Sequence, residues 1–283
     1  MITFKDLSYT YPKGSEALSG VTATIPPGIH LLMGENGAGK TTLLHIIAGL
    51  LYPTSGSIDV DGFSPSLREP GFLRQTFFLG DEMTLSGGSV MAFARKAGAE
   101  YPLFDRDRLS GCLARFGLTG GERLERLSLG NRRKSMVALA LSLGTSVLLL
   151  DEPANGLDIA SKEALAGMLA EAAGDDRTII VSTHVTQDFN NMFDGVISLR
   201  RNRLQLAATL PEILGAIAFT ADMIPPVNAL FTHQLAGLFR SIVEADPDAD
   251  SDIDYRLLHL ALQSPAADGI IGRIMSNKTP QQS

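Results

Sequence analysis

Over the first 30 residues apolar and polar positions alternate in short runs, ITFKDL, YTY and VTATI, broken by Pro12, Gly14, Pro26, Pro27 and Gly28. A period of two interrupted by turn residues predicts a small antiparallel sheet. The pattern then changes. Residues 29–33 are continuously apolar and end at a glycine-rich turn, and TTLLHIIAGLL follows with Leu43, Leu44, Ile46, Ile47 and Leu50 in helical register. Strand, loop and helix are predicted in that order. From about 65 to 140 long strand runs are missing, and amphipathic pieces such as VMAFARKAG and RLSGCLARFG predict an inserted helical subdomain. Apolar runs return at 147–150, 178–182 and 196–199, with a helical stretch at 161–173 between the first two. Strands apolar on both faces belong in a mostly parallel sheet covered by helices, so the expected fold is α/β.

From about 216 the pattern predicts a helical C-terminal tail, with helices around 228–244 and 254–263. The linker between them, EADPDADSDID, carries Glu244, Asp246, Asp248, Asp250, Asp252 and Asp254. Alternating aspartates suggest a calcium loop, but a loop starting at Asp246 needs glycine at its sixth position and glutamate at its twelfth, where Ser251 and Leu257 stand. A solvated acidic linker is the expectation.

Composition narrows the function classes. The 283 residues hold 45% hydrophobic and 19% charged side chains, which predicts a folded globular chain rather than a disordered one. The 24 basic and 31 acidic residues leave a net charge of −7, which argues against nucleic acid as the main partner. Cys112 stands alone, so no intrachain disulfide or multi-cysteine metal site is expected. The N-terminus lacks the apolar core of a secretion signal. The apolar segment 136–150 is too short to span a bilayer, and 213–231 carries Asp222 and Pro225-Pro226 in its middle. The expected location is the cytoplasm.

The chemistry begins at Gly34, Glu35, Asn36, Gly37, Ala38, Gly39, Lys40 and Thr41, which match G-x-x-x-x-G-K-[ST], the Walker A phosphate loop, with Thr42 completing GENGAGKTT. Glycines let successive N–H groups point at phosphate oxygens, and the following helix adds the positive end of its dipole. Lys40 supplies a charge for the β- and γ-phosphates of ATP, and Thr41 a hydroxyl for Mg2+. The apolar run 147–150 then delivers Asp151 and Glu152 at a strand's C-terminal end, where open α/β sheets bind ligands. Asp151 is placed to hold Mg2+ and Glu152 to orient or deprotonate the attacking water. The core is therefore of the P-loop NTPase type.

Upstream of that strand stands LSLGN at 127–131, and downstream stand NGLD at 155–158 and STH ending at His184. GENGAGKTT, LSLGN, VLLLDEP, NGLD and STH, in this order along the chain, resemble the ABC ATPases, the nucleotide-binding subunits of ATP-binding cassette transporters. The resemblance covers about residues 1–212 and implies an ABC ATPase domain over 1–215, with its helical subdomain at about 65–140, and an extension over 216–283. It implies that Tyr11 stacks on adenine, with Tyr9 as a competitor. It also implies that Ser128 and Gly130 face the γ-phosphate held by a second cassette, that Asp158 lies at the dimer seam, and that His184 senses the γ-phosphate. Where relatives carry a glutamine that touches the metal, FFLGDEM offers Asp81. Leu129 and Asn131 replace the usual glycine and glutamine of the LSxG-type segment. Arg132, Arg133 and Lys134 form a basic patch that could be a solvated helix face. The implied function is ATP hydrolysis in a transporter, leaning towards export, by a homo- or heterodimer acting on a separate transmembrane permease subunit at the inner face of the cell membrane. A soluble ABC ATPase acting on ribosomes or nucleic acid is the alternative.

Overall fold

The computed structural model describes residues 1–80, 87–174, 176–183, 192–246 and 251–277. The chain opens with β1 (Ile2–Thr10) and β2 (Glu16–Ile25), continues through β3 (Gly28–Gly34) into α1 (Lys40–Ile47), and returns as β4 (Ser55–Val60). Strand β1 is the centre of an antiparallel sheet of order β2-β1-β4. Its inward residues Ile2 and Phe4 are followed by Leu7 rather than residue 6, because an irregularity at Lys5 and Asp6 inserts an extra position. Asp6 takes a positive φ of 47° there.

Next come α2 (Pro70–Gln75), β5 (Thr76–Leu79), α3 (Val90–Gly98), α4 (Arg106–Arg115), α5 (Leu129–Ser142), β6 (Val147–Asp151), α6 (Ile159–Ala172) and β7 (Thr178–Ser182). The pair β8 (Gly195–Arg200) and β9 (Arg203–Thr209) completes a central sheet of order β5-β6-β7-β3-β8-β9, parallel except for β9. Leu31 and Met33 of β3, Leu148 and Leu150 of β6, and Ile179 and Val181 of β7 share one core with α5 and α6. Leu32, Val147, Leu149 and Ile180 pack on the opposite face against α1 and the antiparallel sheet. Both faces are covered, which is why these strands read as unbroken apolar runs.

Three expectations are corrected. The stretch 65–140 is not helical throughout, since β5 pairs in parallel with β6 as part of the central sheet. After α7 (Leu210–Leu214), the tail is not wholly helical either: β10 (Ile217–Asp222), β11 (Phe231–Leu235) and β12 (Leu238–Glu244) form an antiparallel sheet where the sequence suggested a helix over 228–244. Ala236 and Gly237 have φ of 50° and 84°. Two consecutive positive φ values make a tight hairpin turn whose twist suits antiparallel strands. Helices α8 (Tyr255–Gln263) and α9 (Ala267–Ser276) follow, and Ile217, Ile242, Tyr255, Leu258 and Ile274 belong to the same continuous core as α5 and α6. The acidic linker, third, is more than solvated. Asp254 caps α8 by accepting from Leu257 N at 2.9 Å and accepts from Arg240 at 2.7 Å, and Glu244 pairs with Arg273 at 3.0 Å. Among the described residues no helix is long and apolar enough to cross a membrane.

Candidate active site

Three segments meet at the C-terminal ends of the central parallel strands. The loop after β3 wraps the start of α1, β6 ends at Asp151 and Glu152, and the β1–β2 connection covers one side. Between them lies a cleft of about 620 Å³ lined by Tyr11, Asn36, Gly37, Gly39, Lys40, Thr41, Thr42, Asp151 and Glu152. The strand order brings this about, because β3 and β6 both flank β7 and point the same way.

The loop geometry follows from its residues. Gly39 starts α1 with φ of 102°, and a Cβ there would come to 2.4 Å from Ala17 O, so only glycine fits. Ala38 is buried, whereas Glu35, Asn36 and Gly37 are exposed at the mouth. Lys40 is buried, and its Nζ donates to Gly34 O at 2.7 Å and Glu35 O at 3.2 Å. Burial lowers its pKa, and the charges of Glu152 and Asp151 oppose that shift in part. An ammonium desolvated in this way, held by carbonyls, favours an incoming anion. The Thr41 hydroxyl donates to Asp151 Oδ2 at 2.6 Å, which joins the phosphate loop to β6.

Glu152 has a left-handed backbone with φ of 48°, which costs a residue with a Cβ about 1–2 kcal/mol. Its N–H donates to Ser182 O of β7 at 2.9 Å, so the turn that ends β6 is fixed by its neighbour strand. Tyr11 is 39% exposed and lines the cleft, its hydroxyl 2.9 Å from Thr42 Oγ1. Tyr9 is buried in the antiparallel sheet, with its ring edge-on to Tyr11 at 4.9 Å.

Ser128, Gly130 and Asp158 stand together elsewhere, and none of them lines the cleft. Ser128 caps α5 by accepting from Asn131 N at 3.2 Å. Gly130 approaches Gly156 so closely that a Cβ would come to 3.0 Å from Gly156 O. Asp158 caps α6 and accepts from Lys134 at 2.9 Å, and that bond, with Ser161, holds its carboxyl well below the usual range. Two members of the basic patch, Lys134 and Arg133, are thus committed internally, since Arg133 also donates to Gly80 O at 2.7 Å. Asp81 and His184 lie outside the described residues.

Sequence reasoning missed Ser15, Glu16, Ala17 and Asn202, which complete the cleft wall. Asn202 Nδ2 donates to Glu16 O at 2.6 Å and its carbonyl accepts from Ser19 N at 2.8 Å, tying the β8–β9 turn to β2. These are contacts between distant segments, which no local pattern announces.

Comparison with known proteins identifies the family and the fold. A family model described as ABC transporter matches residues 18–155. The chain is 32% identical over 252 residues to the ABC transporter ATP-binding protein NatA of Bacillus subtilis, covering 83% of this chain and 98% of that protein. It is 29% identical over 229 residues to the phosphonates import ATP-binding protein PhnC of Thiobacillus denitrificans, covering 75% of this chain and 88% of the relative. Among solved structures, an ATP-binding subunit of an ABC transporter superposes with a TM-score of 0.69 at 27% identity, covering 75% of this chain and 91% of that one.

Proposed function

The chain belongs to the ABC transporter family of ATP-binding proteins and is an ATPase of that class, and from that premise we propose the residues that bind and hydrolyse ATP and the assembly in which they do so. The amides of residues 35–41 cradle the phosphates, Lys40 meets the β- and γ-phosphates, and Tyr11 stacks on adenine. The donor set fits magnesium, because a hydroxyl and a carboxylate, Thr41 and Asp151, stand 2.6 Å apart as hard oxygen ligands beside the phosphate loop. Bound there, the ion neutralises phosphate charge. Glu152 accepts the proton of the attacking water as its oxygen bonds to the γ-phosphorus and the bond to the β–γ bridging oxygen breaks. Asp81 as a further metal ligand and His184 as the γ-phosphate sensor rest on the family resemblance alone. The single observation that carries the reading is the Thr41–Asp151 hydrogen bond beside a buried, carbonyl-held Lys40.

The second anion site at Ser128 and Gly130 then belongs to another copy's nucleotide, in a homodimer enclosing two ATP molecules. Leu129 is 83% exposed and Ile159 78%, and both flank the capped helix starts that carry Ser128 and Asp158. Two large apolar side chains on one such face favour a protein cover. In this reading the dimer drives a separate transmembrane permease at the cytoplasmic face of the membrane, in the export direction towards which the sequence resemblance leans. The test is ATP hydrolysis by the purified chain and its Lys40→Ala variant, followed by identification of the membrane protein that copurifies with it. Activity abolished by Lys40→Ala supports the site assignment, and activity unchanged by it refutes it. Transport by inside-out vesicles containing the permease then reads the direction.

A further inference from the structure

Helix α8 ends against the strand that supports the phosphate loop. The Arg200 guanidinium donates to Leu262 O at 3.2 Å and Gln263 O at 2.8 Å, and Gln205 Nε2 donates to Leu262 O at 2.7 Å. Carbonyls in a helix's last turn have no partner within the helix, so two side chains of the β8–β9 hairpin serve as its C-terminal cap. Arg200 also sets a positive charge at the negative end of the helix dipole.

The residue before Arg200 continues the connection. Leu199 is in register with Gly34 across the parallel β3–β8 pair, and a Cβ on Gly34 would lie 2.5 Å from Leu199 O. The strand and the loop entrance are therefore packed backbone to backbone, with no room for a side chain between them. Gly34 O and Glu35 O are the acceptors that hold Lys40 Nζ. His259, one turn before the end of α8, has Gln263 Nε2 at 3.3 Å from its Nε2. Burial lowers the imidazole pKa first, the Lys40 charge lowers it further and the Glu35 carboxylate opposes both, which places His259 within electrostatic reach of the loop. The rest of α8 is locked by Tyr255, Leu258 and Leu262 in the core, with Tyr255 edge-on to Phe193 at 5.4 Å.

We infer that the C-terminal extension is a working part of the nucleotide site: α8, anchored by Arg200 and Gln205, sets the position of Gly34 and Glu35 and so of the carbonyls that hold Lys40. Arg200 is the positioning residue, acting through Leu199 and Gly34 without touching nucleotide. The inference rests on the reading of the cleft as the ATP site. Coupling between two sites is reciprocal, so nucleotide must steady α8 by the same factor by which an anchored α8 favours nucleotide.

The test uses the full chain and a non-hydrolysable ATP analogue with Mg2+. Hydrogen exchange of residues 255–263 is expected to slow by about 5-fold or more when the analogue binds, and Arg200→Ala to raise its Kd by about 5- to 20-fold. In steady-state assays KM for ATP rises by a similar factor while kcat stays within about 2-fold, since a merely structural role would lower the active fraction and leave KM alone. Should Arg200→Ala fail to fold, Gln205→Ala removes one anchor and shows the same KM effect in smaller measure. If the wild type binds the analogue but exchange over 255–263 and the variants' Kd are unchanged, this inference is overturned and the cleft assignment survives. If the wild type does not bind the analogue, the cleft assignment falls and the inference with it.

Discussion

The hydroxyl of Thr41 donates a 2.6 Å hydrogen bond to Asp151 Oδ2, closing the gap between the first turn of α1 and the end of β6. Asp151 is buried, so this bond helps to satisfy a carboxylate that water reaches poorly. Thr41→Val keeps the shape and removes the donor. Nucleotide affinity in Mg2+ is expected to fall by about 10-fold, with little change in EDTA, and Thr41→Ser to restore it. Titration of a fluorescent nucleotide with and without Mg2+ measures the difference.

The lowered pKa of Lys40 sets a pH dependence. Burial favours the neutral amine in the free protein, below the ordinary value of 10.5. Bound phosphate favours the ammonium, so the complex titrates at higher pH than the free protein and binding takes up a proton in the window between them. Nucleotide affinity is therefore expected to decline as pH rises through the free protein's lowered Lys40 pKa. Lys40→Met removes that decline along with most of the affinity. Calorimetric titration in buffers of different ionisation enthalpy reads the proton uptake directly.

Tyr11 is 39% exposed and Tyr9 8%, so the proposed adenine contact falls to Tyr11. Tyr11→Ala is expected to weaken adenine nucleotide binding by about 10-fold, the worth of one lost stacking contact of about 1–1.5 kcal/mol, while Tyr11→Phe binds normally. Tyr9→Ala instead lowers thermal stability, because Tyr9 is buried in the antiparallel sheet. A Kd and a melting curve for each variant distinguish the two.

Ile242 of β12 is completely buried in the core shared with α5 and α6. Ile242→Ala is expected to cost about 2–5 kcal/mol and to shift one cooperative unfolding transition rather than detach an independent tail. Two resolved transitions in denaturant, with only the smaller one moved, would contradict a shared core.

Sequence and structure agree most closely where the signal is local. The phosphate loop, the run ending at Asp151 and Glu152, and the apolar strands 178–182 and 196–199 carry their own patterns, because a buried parallel strand needs apolar residues on both faces. The hairpin at Ala236 and Gly237 was hidden, since Ala-Gly is a weak turn signal and ALFTHQLAGLFRSIVE has apolar residues that also fit a helical spacing. Asn202 in the cleft wall and Arg200 under α8 were invisible for a different reason. Each acts through carbonyls of a segment far away in the chain, Glu16 O for one and Leu262 O with Gln263 O for the other.

In the proposed mechanism ATP held between Lys40 and Glu152 closes two copies of this chain upon each other, through Ser128 and Gly130. Glu152→Gln removes the proposed proton acceptor while keeping the side chain's shape, so bound ATP is expected to persist. Light scattering on the purified Glu152→Gln variant with saturating ATP and Mg2+ is the direct measurement. A mass twice that of the chain is expected, returning to monomer when Ser128→Arg is added. A monomer at saturating ATP, with nucleotide demonstrably bound, would contradict it.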